Sequence, residues 1–134
     1  MATNKLNKAK LVERIRAASE EEVNKIRDAY GNAVVEYAAK KETWQKEIKA
    51  WLWRHIDDAE FSWNPPDDPA PHEPRPHFLD PRGRHGYELK PDLLPQLIRL
   101  EEERRDAALR YVELIDGDTV TVASNEYPPF RHYL

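Results

Sequence analysis

Val23, Tyr30, Tyr37, Trp44 and Trp51 recur every seven residues, and no proline interrupts the chain before residue 65. Seven residues are nearly two turns of an α-helix, so these side chains fall on one stripe. Ile26, Ala33, Val34, Ile48 and His55 fill the three- and four-residue steps between them. Lys40, Lys41 and Glu47 interrupt or border the stripe, with apolar stems that can lie along its edge. Ser19-Glu20-Glu21-Glu22 has the pattern of a capping box, in which a hydroxyl and a carboxylate satisfy the first free N–H groups of a helix. Together these features predict a long amphipathic helix over about 20–59. Leu11, Val12 and Ile15 predict a short helix over about 7–18 ahead of it. Gly31-Asn32 offers a break, because glycine suits the left-handed position past a helix end. The seven-residue register nevertheless passes Gly31 without a slip, which favours one continuous helix. Such a helix is roughly 60 Å long at 1.5 Å per residue. A compact globule of this chain length is only about 35–40 Å across. Either the helix bends, or the protein is elongated and covers its stripe with another chain.

Residues 62–91 are of a different kind, holding eight of the eleven prolines and two of the four glycines. They predict an extended, partly polyproline strap that crosses the helices. Helical periodicity returns at Asp92, a candidate N-cap, with Pro95 in the first turn where its missing N–H costs little. Leu93, Leu97, Leu100, Arg104, Ala107, Tyr111 and Leu114 step by four and three, predicting a second helix over about 93–115 that packs antiparallel on the first. Its end has two readings. Tyr111 to Ala123 also fits a hairpin turning at Asp116-Gly117; helix to about 115 followed by a strand over 119–123 is favoured. The expectation is therefore a mainly α, single elongated unit. Residues 1–60 are helical, 61–91 form the strap, 92–115 the second helix, and 116–134 a short strand or hairpin with an extended arm.

Composition narrows the function classes. The 134 residues carry 21 Lys and Arg against 25 Asp and Glu, a net charge of −4, which discourages a general nucleic-acid binder. Residues 1–16 still hold five Lys or Arg against one Glu, enough for a local basic patch. The absence of cysteine excludes disulfides, thiolate metal sites and a Cys nucleophile. No apolar run approaches a membrane span, and no signal-peptide core follows the basic N-terminus. A cytoplasmic or virion location, without secretion by a signal peptide, is expected. Thirteen aromatic residues argue against a wholly disordered chain.

Motifs for chemistry are sparse. Leu114-Ile115-Asp116-Gly117-Asp118-Thr119-Val120 resembles the V-x-D-G-D-T-[ILV] segment of staphylococcal-nuclease-like domains, whose first Asp helps hold calcium. The match covers only these seven residues. Arg131 is the sole basic residue after Thr119, so the remaining site of that family has no counterpart, and ordinary turn chemistry selects the same residues. His72, His77 and His85 lie near Glu73 and Asp80, a donor set that suits zinc. Pro71, Pro74 and Pro76 forbid the helix that would aim two imidazoles at one ion. Gly83-Arg84-His85-Gly86 is similar to the G-x-x-G loops of KH domains, but a tight basic turn explains it equally. Asp57, Asp58 and Glu60 read as a solvated or Arg54-paired cluster, and Glu101 as a surface partner of Arg105. No catalytic residue, metal site, cofactor or small-molecule substrate is expected.

The aromatics carry the functional expectation. Trp53 points away from Trp44, and Phe61 and Trp63 follow it. They either pack beneath the strap or form a second contact surface. Tyr127, Phe130, Tyr133 and Leu134, with Pro128-Pro129, form an arm too apolar for solvent, which docks on its own body or on a neighbour. Tyr30, Tyr37, Trp44, Trp51, Trp53, Trp63, Tyr127, Phe130 and Tyr133 are the candidate partner-binding residues. The reading is a non-enzymatic structural or assembly protein that binds copies of itself or a larger complex. Its overall build matches accessory and scaffolding components of phage particles. The alternative is a small adaptor or regulator binding protein or nucleic acid through the basic N-terminal region.

Overall fold

The computed structural model describes residues 3–57, 69–81, 86–123 and 125–134. The fold is mainly α, with one long helix, a second helix and short antiparallel strands. Strand β1 (Thr3–Asn7) leads into α1 (Lys8–His55), followed by β2 (His77–Phe78), β3 (Tyr87–Glu88), α2 (Leu93–Glu113), β4 (Thr119–Ala123) and a 3-10 turn at Pro129–Tyr133. The residues group into two compact units, Met1–Asp28 with Lys90–Leu134, and Ala29–Leu89.

The long helix starts at Lys8 rather than near residue 20. Its cap is Asn7, whose side-chain oxygen accepts from the Lys10 N–H at 3.1 Å, as an N-cap residue does. Ser19 therefore lies inside the helix, and the expected short and long helices are one. It runs through Gly31 unbroken, in line with the favoured reading of the seven-residue register.

In the first unit, α2 lies antiparallel to the N-terminal third of α1. Leu11 and Ile15 share a core with Ala108 and Val112, while Ser19 reaches Glu101. Alternation in β4 sends Val120 and Val122 inward and Thr119 and Thr121 outward. Phe130 and Tyr133 complete that core. Strand β4 pairs with β1, Leu6 facing Val120 and Asn7 facing Thr119; of the two readings for residues 111–123, helix then strand is the one adopted. Gly117 turns the chain between them at φ 85°. Lys8 binds the end of α2. Its ammonium donates to the Ile115 carbonyl at 2.7 Å and its backbone N–H to the Asp118 carbonyl at 2.8 Å, a cation where the helix dipole is negative.

The inward face of α2 begins as expected with Leu93 and Leu97, then differs from expectation by one residue from position 100 onward. Leu93, Leu97, Glu101, Ala108 and Val112 are buried, whereas Leu100, Tyr111 and Leu114 are exposed. Asp92 precedes the helix without a side-chain capping bond; its carboxylate accepts from the Gln96 side chain at 2.9 Å instead.

In the second unit, the proline-rich chain lies against the aromatic stripe. The Trp44 indole N–H donates to the Pro71 carbonyl at 3.0 Å. Tyr30 meets buried Phe78 edge-on, ring centroids 5.6 Å apart. The pairing of β2 with β3, Phe78 opposite Tyr87, folds the strap back on itself. The partner of the stripe is thus the strap, and α2 packs on residues 8–28 of α1 instead.

Candidate functional site

Two features can carry function, a buried polar cluster in the first unit and an outward apolar face of α1 in the second. The cluster centres on Glu101, which is fully buried. Its Oε1 accepts from the Ser19 hydroxyl at 3.2 Å and the Tyr133 hydroxyl at 2.8 Å. Its Oε2 lies 3.8 Å from an Arg104 nitrogen. Arg104 in turn approaches the His132 Nε2 at 3.2 Å, and the same nitrogen lies 2.9 Å from Glu22 Oε2. Nε2 donates to Glu22 when it carries a proton and accepts from Arg104 when it does not. Burial of Tyr133, and then its bond to Glu101 and the charge there, push the phenol well above the usual tyrosine range; Ser19 and Arg104 pull weakly the other way.

Glu22, Glu101 and His132 bring ligand-type atoms within 4.8 Å of one another, a donor set that suits a divalent ion. The residues do not fit one, because the Arg104 guanidinium already stands beside both Glu101 and His132. A dication there would meet a fixed positive charge at a cost of several kcal/mol. The cluster instead fastens the C-terminal turn onto the two helices. Arg14 adds to it, donating to the Tyr133 carbonyl at 3.3 Å. Glu101 is thus a buried anchor rather than a surface partner of Arg105, which bonds Asp106.

The candidate interface residues separate into three groups. Tyr30, Tyr37, Trp44 and Trp51 lie half-buried or buried in the second unit, with Trp44 and Tyr30 bonded or packed to the strap and Trp51 packed on the His55 ring. Phe130 and Tyr133 are core residues of the first unit, so these two rings of the arm dock on their own body. Trp53 and Tyr127 face outward, 66% and 81% exposed; Tyr127 stacks beneath the Arg131 guanidinium at 4.3 Å. Trp63 and Phe61 lie outside the described residues. So do His85, Asp58 and Glu60 from the clusters considered for metal or acid chemistry. In the basic N-terminal region, Lys8 and Arg14 are engaged within the first unit, whereas Lys5, Lys10 and Arg16 are exposed.

The outward face of α1 was not evident from the sequence. Val34, Val35, Leu52, Trp53 and Ile56 are all exposed, and at 100° per residue they fall within about 100° of the helix circumference. Lys49, Leu52, Trp53 and Ile56 line a groove of about 380 Å³. No family model, curated protein or solved structure matches the chain. Among the described residues, no helix is long and apolar enough to cross a membrane.

Proposed function

We propose that the protein is a non-enzymatic assembly protein that binds helical protein surfaces through the outward face of α1. The observation that carries this reading is the exposure of Val35, Trp53 and Ile56, at 70%, 66% and 62%, on one face. Burying a side chain of this size is worth about 1.5–3 kcal/mol, and a tryptophan among aliphatic residues is the composition of an interface centre. The aromatic stripe expected to be the seam is covered by the strap, and the outward face of α1 combines a tryptophan with four aliphatic residues. Copies of the chain or a larger complex are the partners that suit it. A cysteine-free chain with a long helix fits an accessory or scaffolding component of a phage particle, in the cytoplasm or the virion.

The test is a Val35→Asp/Trp53→Asp double variant, compared with the wild type for self-association and for retention of binding proteins from a lysate. The variant is expected to keep its helix content and melting temperature and to lose association. A variant that associates like the wild type, or a wild-type chain that binds neither itself nor another protein, overturns the reading.

A further inference from the structure

We infer that the outward face of α1 is a self-complementary seam on which a second copy of this chain docks antiparallel. The inference rests on the assembly reading and names its partner. Gly31, Val35, Ala38, Glu42, Gln45, Lys49, Leu52 and Ile56 step by four, three, four, three, four, three and four, the spacing of a helix–helix seam. Every one of them is exposed, and apart from the adjoining helix backbone nothing lies within 4 Å of the place a Gly31 side chain would take.

The order of residue types along this seam selects the geometry. A parallel pair in register sets Glu42 on Glu42 and Lys49 on Lys49, burying like charges against each other. An antiparallel pair with its two-fold axis level with residues 43 and 44 removes both clashes. Val35 then faces Leu52 of the second copy, Ala38 faces Lys49, and the bare Gly31 receives Ile56. Glu42 faces Gln45 and lies within one turn of Lys46 and Lys49 of the second copy. Each contact occurs twice, as two-fold symmetry requires. Shifting the pair by one heptad breaks the match. In one direction Glu42 lands on Leu52; in the other Leu52 lands on Asp28 and Ile56 on Asn24.

From residue 31 to 56 the seam is roughly 38 Å long at 1.5 Å per residue. A helix contact of this length covers about 400–500 Å² on each copy, below the usual size of stable interfaces. The association is accordingly weak and concentration-dependent. Free Glu42 pairs within its own helix, with Lys46 at 3.5 Å. That exposed pair can be exchanged for a partner's lysine at little net cost.

The chain has no cysteine, so single cysteines report the register directly. Val35→Cys and Leu52→Cys variants are made separately, then oxidised alone and as a mixture at a concentration where the wild type associates. The mixture is expected to yield a disulfide-linked dimer of one chain of each kind, and neither variant alone a comparable amount. Cross-linking of Val35→Cys to itself, or no mixture-specific dimer, overturns the inference. A second arm swaps charges. Glu42→Lys and Lys49→Glu are each expected to weaken self-association several-fold, and an equal mixture of the two to restore it; a mixture no stronger than either variant alone overturns the register. Failure of both arms, while the Val35→Asp/Trp53→Asp variant still loses its lysate partners, leaves the assembly reading standing with a different partner.

Discussion

Replacing Tyr133 by phenylalanine isolates the bond that fastens the C-terminal turn, because the ring stays and only the hydroxyl goes. That hydroxyl donates to a fully buried carboxylate at 2.8 Å. A hydrogen bond to a charged group contributes about 1.5–3 kcal/mol, and the loss leaves the Glu101 carboxylate with one donor fewer in a site water does not reach. Tyr133→Phe is therefore expected to destabilise the protein by about 2 kcal/mol near neutral pH, read by urea unfolding with far-ultraviolet circular dichroism. The pH dependence supplies an independent check. The phenol ionises at higher pH in the folded protein than in the unfolded chain, so folding holds its proton more tightly. Its stabilisation is complete below the unfolded value near 10 and is lost as pH rises above that value toward the folded one. Above about pH 10 the difference between wild type and variant should shrink by up to about 1.4 kcal/mol per pH unit. Taking the difference cancels the other tyrosines and the lysines. A variant within about 0.5 kcal/mol of wild type at neutral pH, together with a difference that stays flat in alkali, would refute the anchor role.

Removal of residues 125–134 takes Phe130 and Tyr133 out of the first unit's core. The melting temperature should drop by the same amount at every protein concentration; a drop seen only in concentrated samples would place the arm on a neighbour. Gly117 in its turn and Gly31 in α1, both with open surroundings, should respond in opposite directions. Gly117→Ala forces a side chain into φ 85° and should cost about 1–2 kcal/mol. Gly31→Ala, in mid-helix with open space around it, should stabilise by about 0.5–1 kcal/mol when measured on dilute protein. Zinc or a chelator should leave the melting temperature unchanged, since Arg104 already stands in the one donor cluster found among the described residues; a rise of several degrees with zinc would show that the guanidinium can be displaced.

The long helix was legible because its aromatic repeat is strict and proline-free, and the strap because prolines announce it. The second helix was legible in extent but not in orientation. Its apolar residues lie on more than one face, and the face with Leu100, Tyr111 and Leu114 contains more large side chains than the one that is buried. Counting hydrophobic residues selects that face. What decides otherwise is Glu101, a carboxylate that belongs in water unless donors converge on it. Those donors come from Ser19 and Tyr133, 82 and 32 positions away in sequence. No local pattern contains them. Ser19 was hidden for the same reason, since Ser-x-x-Glu is a capping signal wherever the helix begins nearby, and here Asn7 had already begun it.

The outward face of α1 was obscured by a different effect, the superposition of two periodic patterns on one helix. Tyr30, Tyr37, Trp44 and Trp51 form one seam; Val35, Ala38, Glu42, Gln45, Lys49, Leu52 and Ile56 form another about a third of a turn around the circumference. Each repeats at helical spacing, yet together they spread apolar residues over half the surface, and a single-stripe reading assigns Val34 to the first and leaves Leu52 and Ile56 as scatter. Only burial separates them, because the strap takes one seam and leaves the other outside. The charges then acquire a meaning that periodicity could not supply. Glu42 and Lys49 are unfavourable at the centre of a seam that folds against an apolar strap. They are favourable in one that meets its own copy reversed, where opposite charges approach twice across the two-fold axis. Leu52 lies as far beyond the centre of that seam as Val35 lies before it, and Ile56 as far beyond as Gly31 lies before, so a reversed copy sets each large aliphatic side chain against a smaller neighbour at both ends.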